Sequence, residues 1–243
     1  MSRRSVLIEA VLFDWGGTLS VHGEHDLLAM WRAAAEVLEP DDPEPLARRL
    51  LEAEDAWWRE RVVDCGGGRS GTTEDLVRSV ERITHLPVHE ALAAYHGAWE
   101  RTVEHDPIAE KVLSGCHDRG WKTGLLSNTH WPRDLHERWL AEAGLLELLD
   151  ARVYTSDLDY MKPHRAAFGA LLSALDVSAE HAVFVGDRAR DDVSGAQGAG
   201  MRAVLLTGRP VESYDTVPDA SLPGLDGLLD LLDSWTGAVA YGS

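Results

Sequence analysis

From His105-Asp106-Pro107 onward the chain alternates four times between an amphipathic helix and a short apolar strand, and nothing else narrows its fold as much. The helical stretches 108–119, 134–142, 164–175 and 192–199 lead into strands at 123–127, 151–154, 182–187 and 203–206. These strands are continuous apolar runs, the pattern of strands buried on both faces, so a parallel sheet covered by helices on two sides is expected. Another such strand, 7–14, comes first and runs into the turn Gly16-Gly17. In open sheets of this kind the ligand crevice lies beyond the carboxyl ends of the strands, where the strand order reverses. Asp14, Ser127 and Asp187 each fall at the last residue of their strand, so three polar groups converge on that crevice.

Between the first strand and this alternation the pattern is helical only. Leu27, Trp31, Ala34 and Leu38 share one helical face, and Leu46, Leu50, Ala53 and Trp57 share another. Thr72 and Thr73, with Asp75, open a third helix carrying Leu76, Val80 and Ile83. Leu92, Tyr95, Trp99 and Val103 make a fourth, and the glycine-rich stretch 65–71 reads as a loop. The tryptophans here, at helical spacing, are expected in the core or between helices and sheet.

At 243 residues, 44% hydrophobic and with nine tryptophans, the chain can bury a large core. Its net charge of −18 repels phosphates at long range, which excludes nucleic acid and anionic membranes as partners. Cys65 and Cys116 are too few for a disulfide framework, and the apolar run after Arg3 and Arg4 is interrupted by Glu9. A cytoplasmic protein without a leader or membrane span is expected.

Four motifs then stand in order. They are Phe13-Asp14-Trp15-Gly16-Gly17-Thr18-Leu19, Leu125-Leu126-Ser127-Asn128-Thr129, Tyr160-Met161-Lys162-Pro163, and Val185-Gly186-Asp187 followed by Asp191 and Asp192. Together they resemble the haloacid dehalogenase-like superfamily of hydrolases. The resemblance implies an α/β fold: a Rossmann-like, doubly wound parallel sheet core (1–20 and 105–243) with an inserted four-helix cap domain (21–104). It implies Asp14 as a nucleophile that takes up a phosphoryl group, and Mg²⁺ held by Asp14, the Gly16 carbonyl and Asp187. Lys162, Ser127, Asn128 and the backbone N–H groups around Trp15 and Gly16 would bind phosphate, although Ser127 could instead cap a helix. Either Asp191 or Asp192 would support the metal or Lys162 from behind.

Gly16 departs from the family, whose phosphatases carry an aspartate there that protonates the leaving group and then activates water. General acid–base groups are worth about 10²–10⁴ in rate, so hydrolysis of a small phosphorylated metabolite should be weak or atypical. A good leaving group (acyl or aryl phosphate) would relieve the need, as would a proton from His22, Glu24 or His25, which otherwise read as solvated loop residues. The other outcome is a catalytically impaired protein that binds phosphate ligands. Phosphonoacetaldehyde hydrolases resemble Asp14-Trp15-Gly16 but need a cap lysine, and residues 20–105 contain none. A 2-haloacid dehalogenase is the lesser alternative, since dehalogenases lack the Gly186-Asp187 pair. His130 and Arg133 read as helix-start residues, and a monomer or a homodimer is equally compatible.

Overall fold

The computed structural model describes residues 6–21, 25–64, 68–80, 88–208 and 215–237. His22, Glu24, Cys65 and Ile83, singled out above, lie outside the described residues. The sheet is built from β1 (Ala10–Phe13), β2 (Lys122–Ser127), β3 (Ala151–Tyr154), β4 (Ala182–Gly186), β5 (Arg202–Leu206) and β6 (Ala220–Leu222). Its order is β3-β2-β1-β4-β5-β6 and every neighbouring pair is parallel. The chain builds outward from β1 to β3, then returns to the other side of β1 for β4. The reversal therefore falls at β1, and the crevice there is the one the strand ends predicted.

Alternate residues of β1 feed two layers. Val11 and Phe13 join the core that includes Leu113, Trp121 and Leu228, whereas Ala10 and Leu12 join Phe168, Leu171 and Ala196. All four are fully buried, and burial of a side chain such as Leu12 stabilises the fold by about 2 kcal/mol. Helices α5 (Ala109–Asp118), α6 (Arg133–Glu142), α7 (Arg165–Leu175), α8 (Gly195–Gly198) and α9 (Leu228–Thr236) flank the sheet. The short β6 and the helix α9 extend the alternation beyond what the sequence reading included.

Four helices lie between β1 and α5: α1 (Leu27–Leu38), α2 (Glu44–Trp58), α3 (Thr73–Ser79) and α4 (Val88–Glu100). Asp26 caps α1 by accepting from Ala29 N at 3.0 Å. Thr72 and Asp75 form a reciprocal capping box at the start of α3. Trp31 of α1 stacks on Tyr95 of α4 with ring centroids 4.0 Å apart. No helix among the described residues is long and apolar enough to cross a membrane.

Several boundaries differ from expectation. β1 and β4 stop one residue short of Asp14 and Asp187, because the chain turns there; Thr18 N and Ser20 N both donate to Trp15 O. Asp14 still continues the ladder by donating its N–H to Val185 O at 2.9 Å. α3 ends at Ser79, and Val80, expected inside it, turns extended. The expected helix 192–199 is a π-helical turn, Ala189–Ser194, that passes into α8.

Candidate active site

Asp14 emerges from β1 with its carboxylate Oδ1 accepting from Lys162 Nζ at 2.5 Å. The same ammonium donates to Asp192 Oδ1 at 2.7 Å, so one cation bridges two carboxylates 178 residues apart at their extremes only because the sheet joins them at the switch point. The π-helical turn makes this possible. Val193 N reaches back to Arg188 O, and Arg188 N donates to Asp192 Oδ2 at 2.9 Å. That geometry lays Asp192 over Gly186, where any Cβ would overlap the Asp192 carboxylate. Of the two candidates, then, Asp192 is the one that holds Lys162.

Lys162 is fixed at its backbone too. Asn128 donates its side-chain amide to Lys162 O at 2.9 Å and accepts from Lys162 N at 2.7 Å. The Asn128 side chain thus clips the lysine loop onto the end of β2, a positioning role its motif had not suggested. Ser127 closes β2 and is buried beside it. Asp191 points elsewhere: Oδ2 lies 3.7 Å from the guanidinium of Arg188, an exposed cation at the same turn that the sequence reading passed over. Asp191 Oδ1 is buried without a hydrogen-bond partner, and burial together with the Asp192 charge pushes its pKa up to about 6.

The electrostatics are lopsided. Asp14, Asp187 and Asp192 each bring one oxygen within 4.8 Å of the others, with one lysine among three carboxylates. Burial pushes the Asp14 carboxyl up to about 7; Lys162 opposes this, while Asp192 and Asp187 add to it. Burial also works against the charge of Lys162, yet Asp14 and Asp192 outweigh it and keep the ammonium above the ordinary lysine value. Three hard oxygen donors with surplus negative charge fit a divalent cation such as Mg²⁺. Asp192 already spends both oxygens on Lys162 and the Arg188 N–H, which leaves Asp14 and Asp187 as the carboxylates better able to ligate.

Trp15 turns its ring away from this cluster. It stacks on Trp139 at 5.8 Å, meets Trp131 and His136 edge-on, and donates Nε1–H to His105 Nε2 at 3.3 Å. Gly16 faces a gap: among the described residues beyond its chain neighbours, no atom lies within 4 Å of where a Cβ would stand. A cleft of about 110 Å³ begins there, walled by Trp15, Trp99, Trp131, Val21 and His25. Of the three loop candidates for a proton source, His25 is described; its ring meets Trp99 at 4.8 Å, and burial lowers its pKa.

Arg133 begins α6 as expected, but His130 is no helix-start residue. It is buried, and its Nε2 shares a hydrogen bond with Glu54 Oε1 of α2 at 2.9 Å. Trp31 Nε1 donates to Glu54 Oε2 at 2.6 Å, and Thr73 Oγ1 lies 3.0 Å from His130 Nδ1. This knot ties three of the inserted helices to the loop that follows Ser127 and Asn128. Glu54 sits 76 residues from His130, and no local pattern announces the pair.

A description of haloacid dehalogenase-like hydrolases matches residues 8–200. The chain is 24% identical over 233 residues to pyrophosphatase PpaX of Halalkalibacterium halodurans, covering 93% of this chain and 97% of that one. An HAD phosphatase from Thermococcus onnurineus shares its fold at TM-score 0.67 and 24% identity, over 93% of this chain and 98% of the other. An L-2-haloacid dehalogenase does so at TM-score 0.63 and 24% identity, over 94% and 100%. Phosphatase and dehalogenase lie on one backbone at equal identity, so these likenesses speak of fold and leave the bond that is cleaved to the site itself. The match over residues 8–200, which takes in β1 with Asp14, the Lys162 loop and the turn bearing Asp187 and Asp192, makes this chain a member of the haloacid dehalogenase-like hydrolases.

Proposed function

We propose that the chain is a Mg²⁺-dependent phosphoryl hydrolase that acts on a small phosphorylated metabolite through an aspartyl-phosphate on Asp14. The observation that carries this reading is the surplus of carboxylate around one buried lysine, with Asp14, Asp187 and Asp192 within 4.8 Å of one another. Dehalogenation at carbon needs no such surplus, whereas two anions that must meet at phosphorus need local positive charge. Asp14 and Asp187, with the Gly16 carbonyl, would hold Mg²⁺, which when bound supplies neutralising charge and polarises the phosphoryl oxygens. Lys162 neutralises a further oxygen and favours the ionised form of Asp14; Asp192 holds Lys162 in place, and Ser127 and the Asn128 and Gly16 N–H groups donate to the phosphoryl group. The relative named pyrophosphatase is in keeping with phosphorus as the target. The helices between residues 21 and 104 act as a cap that excludes water from the site.

The test is turnover of p-nitrophenyl phosphate with Mg²⁺, together with a hydroxylamine-labile phosphate label on the protein. Asp14→Asn abolishes both, lowering turnover by on the order of 10⁴-fold or more. Turnover that survives Asp14→Asn would end the nucleophile reading. Phosphate binding without turnover or labelling would leave a phosphate-binding protein instead.

A further inference from the structure

The cleft at Gly16 has no part in the chemistry described so far. It starts at the backbone next to the nucleophile and is walled by three indole rings, with Val21 and the His25 ring beside them. Trp99 and Trp131 lie 4.8 Å apart and tilted by 57°, while Trp15 and Trp131 meet edge to face at 6.1 Å, so the walls are fixed against one another. Glu104 at its border is exposed to solvent. The two hydroxyls in the wall, Ser20 and Thr102, already donate to Trp15 O and Trp99 O, so a sugar or a polyol would lose water for few partners there. A flat apolar ring would bury its faces against indole, an arrangement that aromatic pairs favour.

The chemistry at the same spot agrees. Gly16 has no side chain to donate a proton, and among the described residues beyond its chain neighbours nothing comes within 4 Å of where its Cβ would stand. An alkoxide needs such a proton to depart. An aryloxide does not, since a phenol titrates near ~10 against ~16 for water. One missing side chain therefore both opens the cleft and leaves position 16 without an acid.

We propose that this cleft receives the leaving group and that the substrate is an aryl phosphate, the ring lying among Trp15, Trp99 and Trp131. The assignment rests on Asp14 acting on phosphorus. An Asp14 oxygen forms the new P–O bond as the aryl P–O bond breaks, and the electron pair departs on the aryloxide, which takes its proton from solvent. Water then cleaves the Asp14 phosphate, releasing inorganic phosphate, so that aryl phosphate and water become a phenol and phosphate.

The test compares kcat/KM for 2-naphthyl phosphate with that for acetyl phosphate, which also has a good leaving group but no ring. The ratio is expected to favour 2-naphthyl phosphate by about tenfold or more. Val21→Phe, which fills the cleft from an exposed position (44%), should lower that ratio about tenfold; Trp99→Ala should lower it as well. Using the ratio cancels any loss of folded protein. Labelling of Asp14 by acetyl phosphate with no preference for the aryl ester, or a ratio unmoved by Val21→Phe, overturns the aryl assignment and leaves the phosphoryl reading intact. If neither ester labels Asp14, the phosphoryl reading itself falls.

Discussion

Two buried charged clusters lie within this fold and they are built on opposite principles. Around Glu54 every charge is answered: Trp31 serves one oxygen, His130 the other, and Thr73 lies against the far side of the imidazole. Burial pushes the Glu54 pKa up, yet the hydrogen bonds from His130 and Trp31 outweigh it and hold the carboxyl below its ordinary value. Around Asp14 one lysine faces three carboxylates, and Asp14 is driven up to about 7. Both clusters are as deeply buried as the apolar core, so burial alone does not separate structure from function. The separation lies in the balance of partners. A saturated carboxylate is a tie between elements, whereas an unbalanced group is an unfinished site that a cation or a substrate completes.

The largest effect should come from adding charge beside the unbalanced cluster. Gly16→Asp has room to fit, because among the described residues beyond its chain neighbours nothing lies within 4 Å of the new Cβ. It should raise hydrolysis of alkyl phosphates such as glycerol phosphate by about 10²–10⁴-fold, while slowing the use of bulky aryl phosphates. No gain for alkyl esters in steady-state kinetics would show that a side chain at position 16 does not limit their hydrolysis.

Removing charge from the balanced cluster should act on stability instead. Glu54→Ala leaves Trp31 Nε1 and His130 Nε2 buried without an acceptor, which should cost about 3 kcal/mol by urea unfolding. Mg²⁺ should not restore the loss, and turnover per folded molecule should stay within a few-fold. Loss of turnover in fully folded Glu54→Ala protein would show instead that this tie sets the geometry of Asn128, and with it the position of Lys162.

The contrast between the clusters also decides how much could be read in advance. Asp14 and Asp187 were legible because each follows an apolar strand, and one rule of parallel sheets carries both ends to a single crevice, where their close approach is expected; Lys162 was legible only from its motif's resemblance. The choice of Asp192 over Asp191 was not legible, since adjacent residues are separated only by a π-helical turn and by the missing Cβ of Gly186. Glu54 and His130 were hidden for another reason. Each looks like an ordinary residue of its own element, and only packing of α2 against the loop after β2 brings them together. The helix α9 had a readable signal in Leu228, Leu231 and Leu232, whereas three residues, none of them buried, gave little notice of β6.

The smallest expected effect, taken per unit of pH, is a pH dependence on the balanced side of the molecule. His136 is buried, shares a hydrogen bond from Nε2 to Thr129 Oγ1 at 3.0 Å, and stacks on Tyr154 at 4.8 Å. Its Nδ1 is buried without a hydrogen-bond partner, so a second proton would have nothing to bind. Burial, helped by the nearby His130, His96 and His105, pushes its pKa from 6.5 down to about 3. A base with a depressed folded-state pKa stabilises the fold fully above its unfolded value and loses that contribution as the pH falls. Stability should therefore drop between pH 6.5 and 3, with His136 accounting for up to about 1.4 kcal/mol per pH unit. His136→Phe keeps a ring against Tyr154 but cannot titrate, so its unfolding free energy should fall less steeply with acid over that range. An equal slope in wild type and variant would mean that acid enters this fold elsewhere, and that the aromatic side of the molecule is not where its neutrality is enforced.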